Sequence, residues 1–115
     1  MAENLLRKVD IDWLLSIYGA MLTDKQHEIA TLYYEEDYSL AEIAQQEGVS
    51  RQSVHDTLQR VEKQLRTWEE KLGMRARLIN VQASLEHALE QMEHSPDTAR
   101  QSIEKALSLL TDEED

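Results

Sequence analysis

Apolar residues recur along this chain at intervals of three and four, and no strand-length alternation interrupts them. Ile11, Leu14, Leu15, Tyr18, Met21 and Leu22 make the first stripe, which predicts a helix from about Asp10 to Met21 with Asp10 as N-cap. Gly19 weakens that helix without breaking it, and residues 1–9 are expected to be frayed or loosely helical. Ile29, Leu32 and Tyr33 give an inward face to a second helix, from Asp24 to about Glu35. The carboxylates of Glu35, Glu36 and Asp37 crowd its C-terminal end, where the helix dipole disfavours anions, and so end it. Leu40, Ile43 and Ala44 mark a short third helix. Val54, Leu58, Val61, Leu65, Trp68 and Leu72 follow at spacings of 4, 3, 4, 3 and 4, a heptad-like stripe over about three heptads. Leu78, Val81, Leu85, Ala88 or Leu89, and Met92 predict a fifth helix. Ala99, Ile103, Ala106, Leu107 and Leu110 predict a sixth. The fold class is all-α.

Punctuation between the stripes is as informative as the stripes. Thr23 precedes Gln26 by three residues, and Ser39 precedes Glu42 by three, so each pair spells a capping box. Ser50 stands ahead of the long stripe as an N-cap. Gly48 ends the short helix, because a left-handed C′ residue is least costly as glycine. Gly73 ends the long one, and Ser95-Pro96 is an N-cap followed by an N1 proline. A short helix, a glycine-containing turn and a second helix form the helix-turn-helix unit by which many proteins meet DNA. Two regions follow: a helix-turn-helix domain over residues 10–72 with a long recognition helix, and a C-terminal helical extension with an acidic tail over residues 73–115.

The chain has 115 residues and no cysteine, which excludes disulfides and thiolate metal sites. No apolar run approaches the ~20 residues needed to span a bilayer, and MAENLLRKVD lacks the apolar core of a secretory signal. A cytoplasmic, soluble protein is the expectation. The net charge is −11, unusual for a protein that touches nucleic acid. Its distribution changes the picture. Residues 49–66 carry Arg51, Arg60, Lys63 and Arg66 against Asp56 and Glu62, a net of +2, whereas residues 85–115 carry Arg100 and Lys105 against nine acids, a net of −7. The second helix of the motif is locally basic in an acidic chain.

Several segments resemble the YlxM family of small bacterial helix-turn-helix proteins. They are Leu22-Thr23-Asp24-Lys25-Gln26, Leu32-Tyr33-Tyr34, Asp37-Tyr38-Ser39-Leu40-Ala41-Glu42-Ile43-Ala44, Val49-Ser50-Arg51-Gln52-Ser53-Val54 and Trp68-Glu69-Glu70-Lys71-Leu72. Residues 11–21 fit that family's first helix more loosely. The string from Leu40 to Val54 is also similar to sigma factor region four, and the tyrosine-bearing pieces make the resemblance more specific. The resemblance implies a regulatory or accessory protein of the signal recognition particle pathway, touching that particle's RNA or its GTPases. A DNA-binding transcriptional regulator is the alternative. A third reading is a protein-interaction module whose helix-turn-helix scaffolds the acidic extension.

Arg51, Gln52, Ser53, His55, Gln59, Arg60 and Lys63 lie off the apolar stripe and are the candidate nucleic-acid contacts, with Asp56 among them. The first of these sit where a recognition helix touches base edges; arginine suits guanine and glutamine suits adenine. An ordinary solvated helix face would carry similar residues. Leu65, Trp68 and Leu72 extend past what a three-helix motif needs to cover. Either the chain's own C-terminal helices cover them, or they hold a homodimer together. His87, Glu90 and His94 alone among the histidine-bearing stretches could share a helix face, without the spacing of the usual metal-ligand patterns. No cofactor, metal or catalytic residue is expected, and the chain does not read as an enzyme.

Overall fold

Local capping and stripe signals become six α-helices in the computed structural model, which describes residues 2–111, with side chains from residue 7 onward. They are α1 (Ala2–Tyr18), α2 (Asp24–Tyr34), α3 (Leu40–Glu47), α4 (Arg51–Leu72), α5 (Met74–Gln91) and α6 (Pro96–Thr111), with a 3₁₀ turn, Gly19–Met21, after α1. There is no strand among the described residues. The chain divides into two compact units, Met1–Leu72 and Gly73–Asp115.

In the first unit α4 is the spine, and α1, α2 and α3 all pack on it. Its stripe, Val54, Leu58, Val61 and Leu65, is buried against Ile11, Leu14, Leu15 and Tyr18 of α1, Ile29 and Ala30 of α2, and Ile43 and Ala44 of α3. Both capping boxes form. Thr23 Oγ1 accepts from the Gln26 N–H at 3.2 Å, and Ser39 Oγ accepts from the Glu42 N–H at 3.1 Å, each reciprocated by the longer side chain. Lys25 Nζ lies 2.6 Å from Glu47 Oε1 and ties the start of α2 to the end of α3.

The first helix departs from the expectation at both ends. It begins at Ala2, so Asp10 is mid-helix rather than an N-cap, and it gives way to the 3₁₀ turn at Gly19. The reason for the early start is tertiary: the Arg7 guanidinium grips the Glu62 carboxylate on α4 with two hydrogen bonds, Nε at 2.7 Å and Nη2 at 2.6 Å. Trp68 also finds its cover within this unit. Its ring lies 6.4 Å from that of Tyr18, whose hydroxyl donates to Glu69 Oε1 at 2.7 Å.

Gly48 follows α3 at φ 70° and ψ 33°, the left-handed region, and lets the Val49 N–H reach back to the Ala44 carbonyl at 3.0 Å. A Cβ there would meet nothing within 4 Å, so its cost is conformational alone. Gly48→Ala is therefore expected to cost about 1–2 kcal/mol in urea unfolding, the penalty for an L-residue held in that region.

The second unit is a helical hairpin. Helices α5 and α6 meet along a seam of mostly small side chains, with Val81, Ser84 and Ala88 facing Ala99 and Ala106. Of the two alternatives on α5, Ala88 is in the seam and Leu89 is exposed.

Candidate nucleic-acid interface

Three residues, Gly48 to Ser50, separate α3 from α4. Ser50 Oγ accepts from the Ser53 N–H at 3.0 Å, satisfying one of the free donors at the start of α4. The turn fixes which way α4 rolls. With Val54, Leu58 and Val61 pinned in the core, Arg51, Gln52, Ser53, His55, Gln59, Arg60 and Lys63 all stand exposed. The first three occupy the opening turn of α4, the part of such a helix that enters a groove.

Electrostatics divide this face. Arg51, Arg60 and Lys63 make no ion pair among the described residues, so their charges remain available to an anion. Asp56 sits among them and is partly occupied: Gln52 Nε2 donates to its Oδ1 at 2.9 Å, and His55 Nδ1 lies 3.7 Å from the same oxygen. Arg66 is committed elsewhere, with Nη2 3.3 Å from Glu62 Oε1 and Nη1 4.0 Å from Asp10 Oδ2.

The fold brings a second set of residues beside this face. A depression of about 530 Å³ is lined by Lys8, Tyr33, Tyr34, His55, Gln59 and Glu62 among others. Lys8 Nζ stands 4.2 Å over the Tyr33 ring and 3.5 Å from Asp37 Oδ1. Tyr33 and Tyr34 meet edge to face at 5.0 Å. Burial, followed by the nearby Glu62 charge, pushes the Tyr34 phenol up to about 12, so it stays neutral near pH 7. Arg7 and Lys8 were absent from the sequence-derived site, although the run from Ala2 to Lys8 holds no glycine or proline that would stop a helix there.

The hydrogen bonds from Arg7 hold the Glu62 carboxyl below its usual range, against the opposing effect of burial. A carboxylate with a lowered folded pKa adds stability above its unfolded pKa and loses it as pH falls through the folded value. Thermal stability is accordingly expected to drop as pH is taken below about 4.5, the ordinary glutamate value. Glu62→Gln should show a shallower drop when melting temperature is followed against pH, and an equal drop would contradict this assignment.

The three residues expected to hold a dimer have different fates. Leu65 is fully buried in its own unit, Trp68 is half-buried beside Tyr18, and Leu72 is exposed. Among the described residues, no group of three or more histidine, aspartate or glutamate side chains is placed to hold a metal, and no helix is long and apolar enough to cross a membrane.

With a tight-turn helix pair and its outward face in place, the comparison with known families becomes decisive. The family model described as "Putative helix-turn-helix protein, YlxM / p13 like" matches residues 5–110. The chain belongs to this family. YlxM/p13-like relatives named UPF0122 protein include one from Desulforamulus reducens, 40% identical over 101 residues, covering 87% of this chain and 86% of the relative. Another, from Clostridium botulinum, is 38% identical over 85 residues, covering 74% and 78%. A relative from Thermoanaerobacter sp. is 56% identical over 61 residues, about half of each chain. The family match includes most of the second unit as well as the helix-turn-helix. Membership in a helix-turn-helix family supports a nucleic-acid-binding regulatory role.

Proposed function

We propose that this chain is a cytoplasmic, non-enzymatic regulatory or accessory protein of the signal recognition particle pathway, acting through the exposed face of α4 on RNA or DNA. The observation that carries the nucleic-acid part is Arg51, Arg60 and Lys63, exposed on the helix that follows the turn and without an ion pair among the described residues. Cations held this way on a rigid helix attract phosphate even when the chain as a whole repels it. The pathway assignment rests on the resemblance to YlxM-like proteins. Within it, the particle's RNA and its GTPases are the partners to test.

Helix-turn-helix geometry also supports a DNA-binding transcriptional regulator, because the opening turn of α4 presents Arg51 and Gln52 where base edges are read. A pull-down from native lysate, repeated after nuclease treatment, separates the readings. The first expects the particle's RNA or GTPases on the immobilised protein. Enrichment of particular chromosomal fragments would instead favour the regulator. Recovery of neither RNA nor DNA would overturn the nucleic-acid reading.

A further inference from the structure

Helix α4 carries a ridge of side chains four residues apart, Arg51, His55, Gln59 and Lys63, and all four are exposed. Its two ends are cations without an ion pair among the described residues. Its middle is different. His55 and Gln59 line the depression of about 530 Å³ beside the helix, together with Tyr33 and Tyr34 of α2 and the apolar Leu40 and Leu58. That volume suits a small planar group, since small-ligand sites run from about 300 to 1,000 Å³. The charges around it are answered in pairs. Arg7 holds Glu62 with two hydrogen bonds, Arg66 adds a third at 3.3 Å, and Lys8 Nζ lies 3.5 Å from Asp37 Oδ1. The depression therefore favours a neutral occupant, while the two ends of the ridge favour anions.

We propose that this depression receives an unpaired nucleobase, stacked on Tyr33, from a single-stranded segment whose flanking phosphates lie on Arg51 and Lys63. The inference rests on the nucleic-acid reading of α4 and narrows it to a strand with a base free to turn out of its stack. A base inside a duplex has both faces covered by its neighbours, so only an unpaired one can offer a face to an aromatic ring.

The contacts already made at Tyr33 show how a base would enter. Lys8 Nζ stands 4.2 Å over the ring, and its other neighbour, the Asp37 carboxylate, is 82% exposed. A base sliding onto the ring displaces the end of a flexible side chain rather than packed atoms. The displaced ammonium is then free for a phosphate beside that base. Polar groups are left to meet the base edge: neither the Tyr34 hydroxyl nor the Gln59 amide has a hydrogen-bond partner among the described residues. An aliphatic side chain from a protein partner would leave both unsatisfied. Every base has a face to stack, so a pocket of this kind tolerates different sequences.

Fluorescence anisotropy of the full chain tests this with two labelled probes of equal length and charge, a short oligouridine and the same ribose-phosphate strand without bases. The wild type is expected to bind the oligouridine at least about fivefold more tightly, the lower end of what one base gains by stacking on an aromatic side chain. Tyr33→Leu keeps apolar bulk without a ring and should bind both strands alike, whereas Tyr33→Phe should keep the preference. Equal binding of the two strands by the wild type would overturn the base site and leave the phosphate-binding face of α4 standing. Binding of neither strand would overturn both. Uridine monophosphate that binds as tightly as the oligouridine would assign the depression to a free nucleotide and overturn the proposal. A second measurement uses the wild type alone and does not depend on a variant folding. An oligonucleotide carrying 5-bromouracil, irradiated in the complex, should attach to Tyr33 or Tyr34 when mapped by mass spectrometry. Attachment only at residues outside the depression would equally overturn it.

Discussion

Replacing Arg51 and Arg60 together with glutamate is expected to abolish nucleic-acid binding and leave the fold intact. Both guanidinium groups are exposed, and neither makes an ion pair among the described residues, so no structural contact is lost. The local balance over residues 49–66 moves from a net of +2 to −2, and the rest of the chain offers no compensating charge. An arginine contact to nucleic acid is worth about 1–3 kcal/mol, so losing two weakens binding by roughly 100-fold or more. Fluorescence anisotropy on labelled RNA and DNA at matched low salt reads the loss, and circular dichroism checks the helices. Unchanged affinity would move the site off α4, toward Arg75 and Arg77. An interaction made through the acidic extension should not respond to these substitutions.

Ile43→Ala is expected to cost about 2–5 kcal/mol of stability, the range for truncating a core aliphatic residue to alanine. Ile43 is fully buried where α3 meets α4. It belongs to the shorter helix of the pair, eight residues long, which cannot stand alone in water and depends on this contact. A domain with about 5–15 kcal/mol of total stability would lose a large part of it. Chemical denaturation gives the measurement. A midpoint equal to that of the wild type would mean that α3 does not pack on α4 through this residue.

The helix-turn-helix was legible because each of its boundaries is written in local chemistry. Ser39 with Glu42, Gly48 and Ser50 state where α3 starts, where it stops and where α4 starts, and Ile43, Val54 and Leu58 state which sides meet. The outward residues of α4 followed from the same stripe. The start of α1 was not legible, since what holds Arg7 in a helix is Glu62, 55 residues away in the chain. Its arrival beside α4 could not be read without the fold. Cover for Trp68 was invisible for the same reason, because Tyr18 comes from α1.

In the second unit periodicity located α5 and α6 without saying which of their side chains meet. Leucines at 85 and 89 dominate any apolar stripe read from the sequence, whereas the seam is taken by Ser84 and Ala88 facing Ala99 and Ala106. Small residues let two helix backbones approach closely, and a stripe alone does not say which of two adjoining faces a neighbour will use.

The salt dependence of wild-type binding tests the central claim most directly. Each phosphate neutralised on duplex DNA contributes about −0.9 to the slope of log affinity against log salt. Arg51, Arg60 and Lys63 acting alone give a slope near −2.7, and recruitment of Arg66 away from Glu62 would bring it to about −3.6. With single-stranded RNA, three contacts give about −2.1. An affinity that falls with salt within this range is the result expected of a phosphate-binding α4 face. An affinity independent of salt, or no binding of either nucleic acid at the lowest salt, would contradict it.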